Sequence, residues 1–525
     1  MSFRSNLMKR GCGSDADAST KRKAIAALRY ELPYVSASAL AAICKWCNTN
    51  EGLPDIRSRD PIRKVRDDVC FKHQTEHGKI HRVVIFDTVK GDSVGVEMQN
   101  PWAFLQELFS TSSSMAHILG SLLKQRPNTF DNPWRLVVYS DEITPGNQVA
   151  HKNPRKTWAI YYSFLEFGSL LGSEEFWFTG TLVSSDTVRH IDGGWSSVIR
   201  EFARMFWSPD GQDMERGGIS IALCSESFSS SVRVHLFVKM GMMLADEAAL
   251  NAMLHSKGAS GLKCCAICQN VCDAKSTRRS VHTDPWVALH TEPDASKFVM
   301  HTAGTINSVV KRLRGLASAV KDGEPCKGQL KDAQTNLGFS HNDFAILFDD
   351  FLRPKMLPHK IVCYDWMHVW CVSGILPAHA GRFFYYWHNH KNSDFKIEQA
   401  REYLALWTWP REIGDSHTGV KAFDSDRIEN SLKAQSLHVT ASEARSLIAP
   451  LGHFVRRSLI NPDTDPPLRE RAESFLHMVN VIEELEAASR GTCDVSRLRR
   501  ETMEHMTSFI RHVGVGVPRI NIIWE

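Results

Sequence analysis

Three acids stand out as candidates for chemistry: Asp141, Asp246 and Glu443. Asp141 follows Trp134-Arg-Leu-Val-Val-Tyr-Ser140, a β-branched and aromatic run that predicts a buried strand. Asp246 closes a second such run, Val232 to Leu244, and Glu443 lies in a stretch with helical periodicity, Ser442 to Ser458. Carboxylates are the ligands hard cations such as Mg²⁺ prefer. Phosphodiester chemistry on two ions about 4 Å apart needs several of them. They must come from separate rigid elements that converge in space. Two strand-end aspartates and one helical glutamate meet that need. Each aspartate has a neighbouring rival, Glu142 and Glu247, and adjacent residues of a strand face opposite ways, so one of each pair points into a site.

A second feature is Lys263-Cys-Cys265-Ala-Ile-Cys268-Gln-Asn-Val-Cys272. The spacing of Cys265 and Cys268 is that of a zinc half-site, with Cys264, Cys272, His368 or His438 as partners, or else the thiols are small buried side chains. A third, Cys44-x-x-Cys47 with Cys70-x-x-His73, imitates a zinc finger, but Cys44 and Cys47 fall in an apolar helical pattern with Ala41, Ile43 and Trp46 and read as core. There is no phosphate-cradling loop, dinucleotide fingerprint or nucleophile elbow, and no small-molecule cofactor is expected.

The elements that must position these residues follow from periodicity. Residues 1–20 are Ser/Gly/Asp-rich and predict a disordered tail. Residues 21–130 read as a mostly helical region, Ala24 to Trp46 and Pro101 to Lys124, with an extended stretch from His81 to Asp87. Residues 131–270 predict strands at Trp134–Ser140, Thr157–Phe167 and Glu175–Ser184, a helix at Gly194–Trp207, strands at Gly218–Cys224 and Val232–Leu244, and a helix at Ala248–Ser256. Three meandering strands, then a helix, then further strands ending in an acid is the order of an RNase H-like α/β core with a mixed sheet and flanking helices. Residues 271–420 are too long for a connection and predict a mostly helical insertion. Residues 421–490 predict helices that complete the core and carry Glu443, and 491–525 a C-terminal tail.

At 525 residues the chain exceeds one ordinary core. Its 43% apolar and 23% charged residues are globular values that exclude a disordered or fibrous protein. A net charge of +4 neither requires nor excludes a nucleic-acid partner, which depends on local basic faces. Such clusters occur at Lys21-Arg22-Lys23, Arg57 to Arg66, Lys311-Arg312 with Arg314, and Arg497 to Arg500, and each also fits a solvated helix face. Met1 to Gly13 is polar, which predicts no secretory leader, and no run reaches membrane-helix length. The 13 scattered cysteines then read as thiols or metal ligands in a reducing compartment.

Four segments together resemble a family. Leu136-Val-Val-Tyr-Ser-Asp141-Glu-Ile-Thr-Pro145 resembles the first-aspartate motif of eukaryotic DDE transposases of the Plavaka and CACTA kind. Leu244-Ala-Asp246-Glu-Ala-Ala with the following Cys265-x-x-Cys268 is similar to their second-aspartate segment. Asp365-Trp-Met-His368 is similar to their Asp-x-Met-His element, and Val439-Thr-Ala-Ser-Glu443-Ala-Arg445 to the helix carrying their catalytic glutamate. The motifs stand in the family's order over residues 134–490. The resemblance implies an RNase H-like fold interrupted by an insertion, with Asp141, Asp246 and Glu443 binding two Mg²⁺ or Mn²⁺ ions. It implies DNA cleavage by water, then strand transfer by the freed 3′ hydroxyl. It further implies that Cys265 and Cys268 help hold a structural Zn²⁺, that Asp365 and His368 shape the active-site wall or join a metal site, with His368 a candidate zinc ligand, and that the protein is a nuclear homo-oligomer. The same residues are also compatible with a catalytically retired, DNA- or chromatin-binding derivative, or with another RNase H-like nuclease.

Overall fold

A computed structural model describes residues 74–144, 156–224, 232–272, 287–288, 294–372, 374–391, 397–409 and 417–513. The finger-like Cys44, Cys47, Cys70 and His73, the helix expected over Ala24 to Trp46, the basic clusters before residue 67, the turn at Pro145 and the end from Gly514 lie outside them. After a short antiparallel pair, Gln74–Thr75 with Gly78–Lys79, the described chain forms a hairpin of β1 (His81–Asp87) and β2 (Ser93–Gln99), followed by α1 (Pro101–Thr111) and α2 (Ser113–Gln125). The expected extended stretch is β1, and the apolar periodicity from Pro101 is the two helices. Asn100 caps α1 by accepting from the Trp102 N–H, and Pro101 starts it.

The centre is a mixed five-stranded sheet. Its strands are β3 (Trp134–Ile143), β4 (Thr157–Phe164), β5 (Phe178–Ser184), β8 (Val238–Ala245) and β9 (Val362–Tyr364), in the order β9-β8-β3-β4-β5. β3, β4 and β5 are antiparallel neighbours, whereas β8 runs parallel to β3 and β9 parallel to β8. Between β5 and β8 lie α3 (Gly194–Phe206) and a separate hairpin, β6 (Ile219–Ala222) with β7 (Arg233–Leu236). The run expected as one strand, Val232 to Leu244, is therefore two, broken at Phe237. Glu175 to Trp177 is a 3-10 turn and its neighbour rather than strand.

Alternation assigns the faces. Leu136 and Val138 of β3, Ile160, Tyr162 and Phe164 of β4, and Met243 and Ala245 of β8 point into one core with Val198, Phe202 and Phe206 of α3. Tyr162 packs on Phe178, Phe202 and Phe206 at ring distances of 5.4, 5.7 and 5.5 Å, and its hydroxyl donates to Gln99 at 2.6 Å, so the buried phenol keeps a partner. The Trp195 indole likewise donates to Ser140 Oγ at 2.9 Å. Asp141 belongs to the other face, with Tyr139.

Residues 271–420, expected as a helical insertion, contribute to this same core. α5 (Ala303–Lys321) buries Ile306, Val310 and Leu313 in it, α6 (Lys327–Leu337) follows, and β9 extends the sheet. A three-residue strand is too short for periodicity to reveal. A second core begins beyond the short α7 (Trp366–Trp370). It is built by α8 (Ile375–His388), α9 (Ile397–Leu406), α10 (Ser425–Ala434), α11 (Ala441–Leu459), α12 (Pro466–Ser489) and α13 (Val495–Val513), around Phe384, Phe423 and Phe475. The segment expected as a tail from 491 is thus largely the helix α13, which buries Met506. No described helix is long and apolar enough to cross a membrane.

One irregularity sets the alignment of the sheet. Along β8 and β3 the pairing runs Met240 to Leu136, then Met242 to Val137, so Gly241 is an extra residue, a β-bulge. A Cβ on Gly241 would stand 2.5 Å from Arg135 Cβ and 3.0 Å from the Leu136 carbonyl. The bulge needs that bare backbone. Gly241→Val is expected to cost about 1–3 kcal/mol through overpacking, read as a lowered denaturation midpoint, and a variant as stable as the parent would contradict the close approach.

Candidate active site

The bulge decides which residue stands beside Asp141. Past it, Ala245 pairs with Ser140 of β3 and with Tyr364 of β9. One further step along the ladders brings Asp246 level with both Asp141 and Asp365. The Asp365 N–H donates to the Ala245 carbonyl at 2.9 Å, which continues the ladder. Without the extra residue Asp246 would align with Glu142 and face the core side, because a one-residue slip flips every side chain. Three aspartates therefore sit at the same level, on the same face, at the C-terminal ends of three adjacent parallel strands. Side chains in that position project into the crevice where sheets of this kind bind ligands.

Local structure fixes each carboxylate. Asp246 caps α4 (Glu247–Leu254), its Oδ1 accepting from the Ala249 N–H at 2.6 Å. Asp365 caps α7, its Oδ1 accepting from the Met367 N–H at 2.9 Å, while Oδ2 meets His368 Nδ1 at 2.8 Å. A cap uses one oxygen and the helix N-terminus favours the negative charge. Asp141 accepts from the Tyr139 hydroxyl at 3.4 Å. The rivalry with Glu142 is resolved: Glu142 turns to the opposite face, where Lys156 Nζ at 2.8 Å and Ser185 Oγ at 2.7 Å hold it. Those partners keep its carboxyl below the usual range against the opposing effect of burial.

Electrostatics ties the group together. Burial, then the negative charge of Asp246, raises the Asp141 carboxyl above its usual value, with His368 as a partial offset. The Tyr139 hydroxyl is raised by burial and by Asp141, Asp365 and Asp246. His368 is raised chiefly by its hydrogen bond to Asp365, then by the charges of Asp365, Asp246 and Asp141, with burial opposing. Among the described residues no Lys or Arg pairs with any of the three aspartates. A half-buried group of three carboxylates with one imidazole as counter-charge suits a cation, and its hard oxygens suit Mg²⁺ or Mn²⁺. Among the described residues, however, no three His, Cys, Asp or Glu side chains stand close enough together to form a ready-made metal cage.

Glu443, the third acid of the sequence reading, is engaged elsewhere. Its two oxygens form a forked pair with Arg427 at 2.9 and 2.6 Å, and Oε2 also accepts from the Thr440 N–H at 2.8 Å in the capping box that opens α11. The Arg427 bond above all, aided by Thr440, keeps its carboxyl low. Glu443 is not among the leading charges acting on Asp141, Tyr139 or His368. Arg445 of the same helix is paired with Glu486.

The cysteine pair forms a tight turn in which the Cys268 N–H donates to Cys265 Sγ at 3.3 Å, with Lys263 and Cys272 bridged across its base. His368 belongs with the aspartates. Backbone pairing brings His301 to this turn: its backbone N–H donates to the Ile267 carbonyl at 2.8 Å. It is 2% exposed, Nδ1 meets Thr305 Oγ1 at 3.1 Å, and Nε2 is buried with no partner among the described residues. Burial, with the charges of Lys263 and His359, lowers its pKa to about 4, so it is neutral near pH 7. Sequence spacing gave no sign of it.

The raised Asp141 carboxyl has a consequence for stability. A folded pKa above the unfolded one means the folded state binds the proton more tightly, so this contribution is full at low pH and is lost as pH rises through the folded value. The gain in melting temperature from Asp141→Asn in metal-free protein is therefore expected to be larger at about pH 8 than at about pH 5. Millimolar Mg²⁺ or Mn²⁺ is expected to raise the melting temperature of the parent and not of the variant. A pH-independent difference would contradict the assignment.

No family model matches the chain, and no curated protein matches it in sequence.

Proposed function

We propose that the chain carries a metal-dependent phosphodiester-cleaving site on an RNase H-like core, in a DNA transposase of the Plavaka and CACTA kind or a derivative of one. The observation that carries this reading is the alignment of Asp141, Asp246 and Asp365 on one face at the ends of three adjacent parallel strands. The strand order supports it, since three antiparallel strands followed by two parallel ones beyond the first is the RNase H-like arrangement. The four motifs in family order support the transposase over other nucleases.

Asp141, Asp246 and Asp365 would hold Mg²⁺ or Mn²⁺, and bound ions would supply Lewis-acid stabilisation of the phosphate and a deprotonated water. The chain's own groups do the rest. Tyr139 orients Asp141, and His368 orients Asp365 and offsets part of the charge until a cation arrives. Glu443 is a ligand only if Arg427 releases it; in the described arrangement its part is to start α11. A DNA substrate, a nuclear location and a homo-oligomer belong to the same reading. The lack of a ready-made cage favours one alternative, a retired site in a DNA-binding protein.

Nicking of supercoiled DNA in Mg²⁺ or Mn²⁺ separates the two. Asp141→Asn and Asp365→Asn are expected to lower the rate about a thousandfold. Glu443→Gln is expected to cut while losing about 1–2 kcal/mol of stability from the ion pair and cap. No nicking by the parent under any divalent ion would leave the retired-site reading.

We also propose a structural Zn²⁺ at Cys265 and Cys268, supported by the amide-to-sulfur hydrogen bond of their turn and the unpartnered buried Nε2 of His301, although among the described residues no third His, Cys, Asp or Glu side chain stands close enough to complete the set. Purified protein is expected to carry about one zinc, with Cys265→Ser and Cys268→Ser each losing it and His301→Ala weakening it. Zinc-free, fully stable parent protein would overturn this.

A further inference from the structure

The second core holds a cleft whose chemistry neither the aspartates nor the cysteines use. It encloses about 750 Å³ between α9 and α11. Tyr403 and Leu406 of α9, with Trp407 and Thr408 just past its end, line one side; Phe454, Arg457 and Ser458 of α11 line the other. The rings form a series: Tyr403 lies 5.0 Å from Phe454 and 6.1 Å from Trp407, and Trp407 lies 5.5 Å from His453. Phe454 anchors the series in the core, while Tyr403 and Trp407 are half-buried and keep ring surface at the cleft.

The charge at this cleft is unspent. Arg427, Arg445 and Arg497 are committed to Glu443, Glu486 and Glu484. Arg457 is exposed and has no hydrogen-bond or ion-pair partner among the described residues. Flat rings, two hydroxyls and a free guanidinium in one cleft are what a nucleotide needs: a face to stack on and a cation for the phosphate.

We propose that this cleft binds an unpaired nucleotide of a DNA strand, its base against Tyr403 and Trp407 and its phosphate at Arg457. The inference rests on the DNA reading above for the source of the nucleotide. Bases inside a duplex have both faces stacked, so the cleft selects strands that are open, frayed or have a base turned out. It would hold a single-stranded region while the aspartates act on the backbone.

The test uses the full chain carrying Asp141→Asn, so that no cutting intervenes, and a short single-stranded DNA containing 2-aminopurine. Stacking is expected to quench the 2-aminopurine fluorescence in the single strand and not in the matched duplex. Arg457→Glu, on an exposed side chain, is expected to weaken single-strand binding about tenfold with an unchanged melting temperature. Trp407→Leu is expected to remove most of the quenching. Equal binding of single strand and duplex without quenching, or Arg457→Glu binding like the parent, would overturn the proposal. Deoxyadenosine monophosphate binding as tightly as the oligonucleotide would overturn its strand-borne form. Nicking by the Asp141 protein without quenching sinks this inference alone, whereas quenching without nicking sinks only the cleavage reading.

Discussion

The register between β3 and β8 is the constraint on which the site depends. A single extra residue, Gly241, shifts every later pairing of β8 by one. That shift turns Asp246 from the core side to the face of Asp141, and it carries β9 and Asp365 along, because β9 takes its alignment from β8. The bulge is tolerated because the position has no side chain, and the crowding by Arg135 and the Leu136 carbonyl leaves little room for one. The core behind the sheet, from Tyr162 to Phe206, then makes the alignment rigid.

The arrangement has an electrostatic cost that points to its use. Like charges gathered at half-buried strand ends raise the Asp141 carboxyl and the Tyr139 hydroxyl, and His368 is the imidazole that answers them. Four other acids among the described residues are matched by a base: Glu142 with Lys156, Glu166 with Arg135, Asp349 with Arg204, Glu443 with Arg427. Burial without a partner penalises charge, and carboxylates perturbed in this way are candidates for a functional site.

Much of this was legible in sequence, and for physical reasons. Trp134 to Ser140 is long, β-branched and aromatic, so its strand and the position of Asp141 near its end could be read directly. Asp246 was marked by the same pattern. The third aspartate was noticed only as part of a motif, because β9 has three residues and no period to detect. The bulge could not be read, since a lone glycine between methionines signals nothing about register. Glu443 followed the family resemblance, yet its local sequence, Thr440-Ala-Ser-Glu443, is also a capping box, and in the fold that local role and Arg427 claim it. His301 was invisible because its relation to Cys265 and Cys268 is made by backbone pairing across more than thirty residues, not by spacing.

Asp141, Asp246 and Asp365 are proposed to form one cation site. Anomalous diffraction from crystals of the full chain soaked in Mn²⁺ tests it most directly. The expected result is a manganese peak bounded by these three carboxylates, absent in Asp141→Asn crystals. A peak at Glu443 away from the three aspartates, or no ordered manganese at the strand ends, would contradict the account.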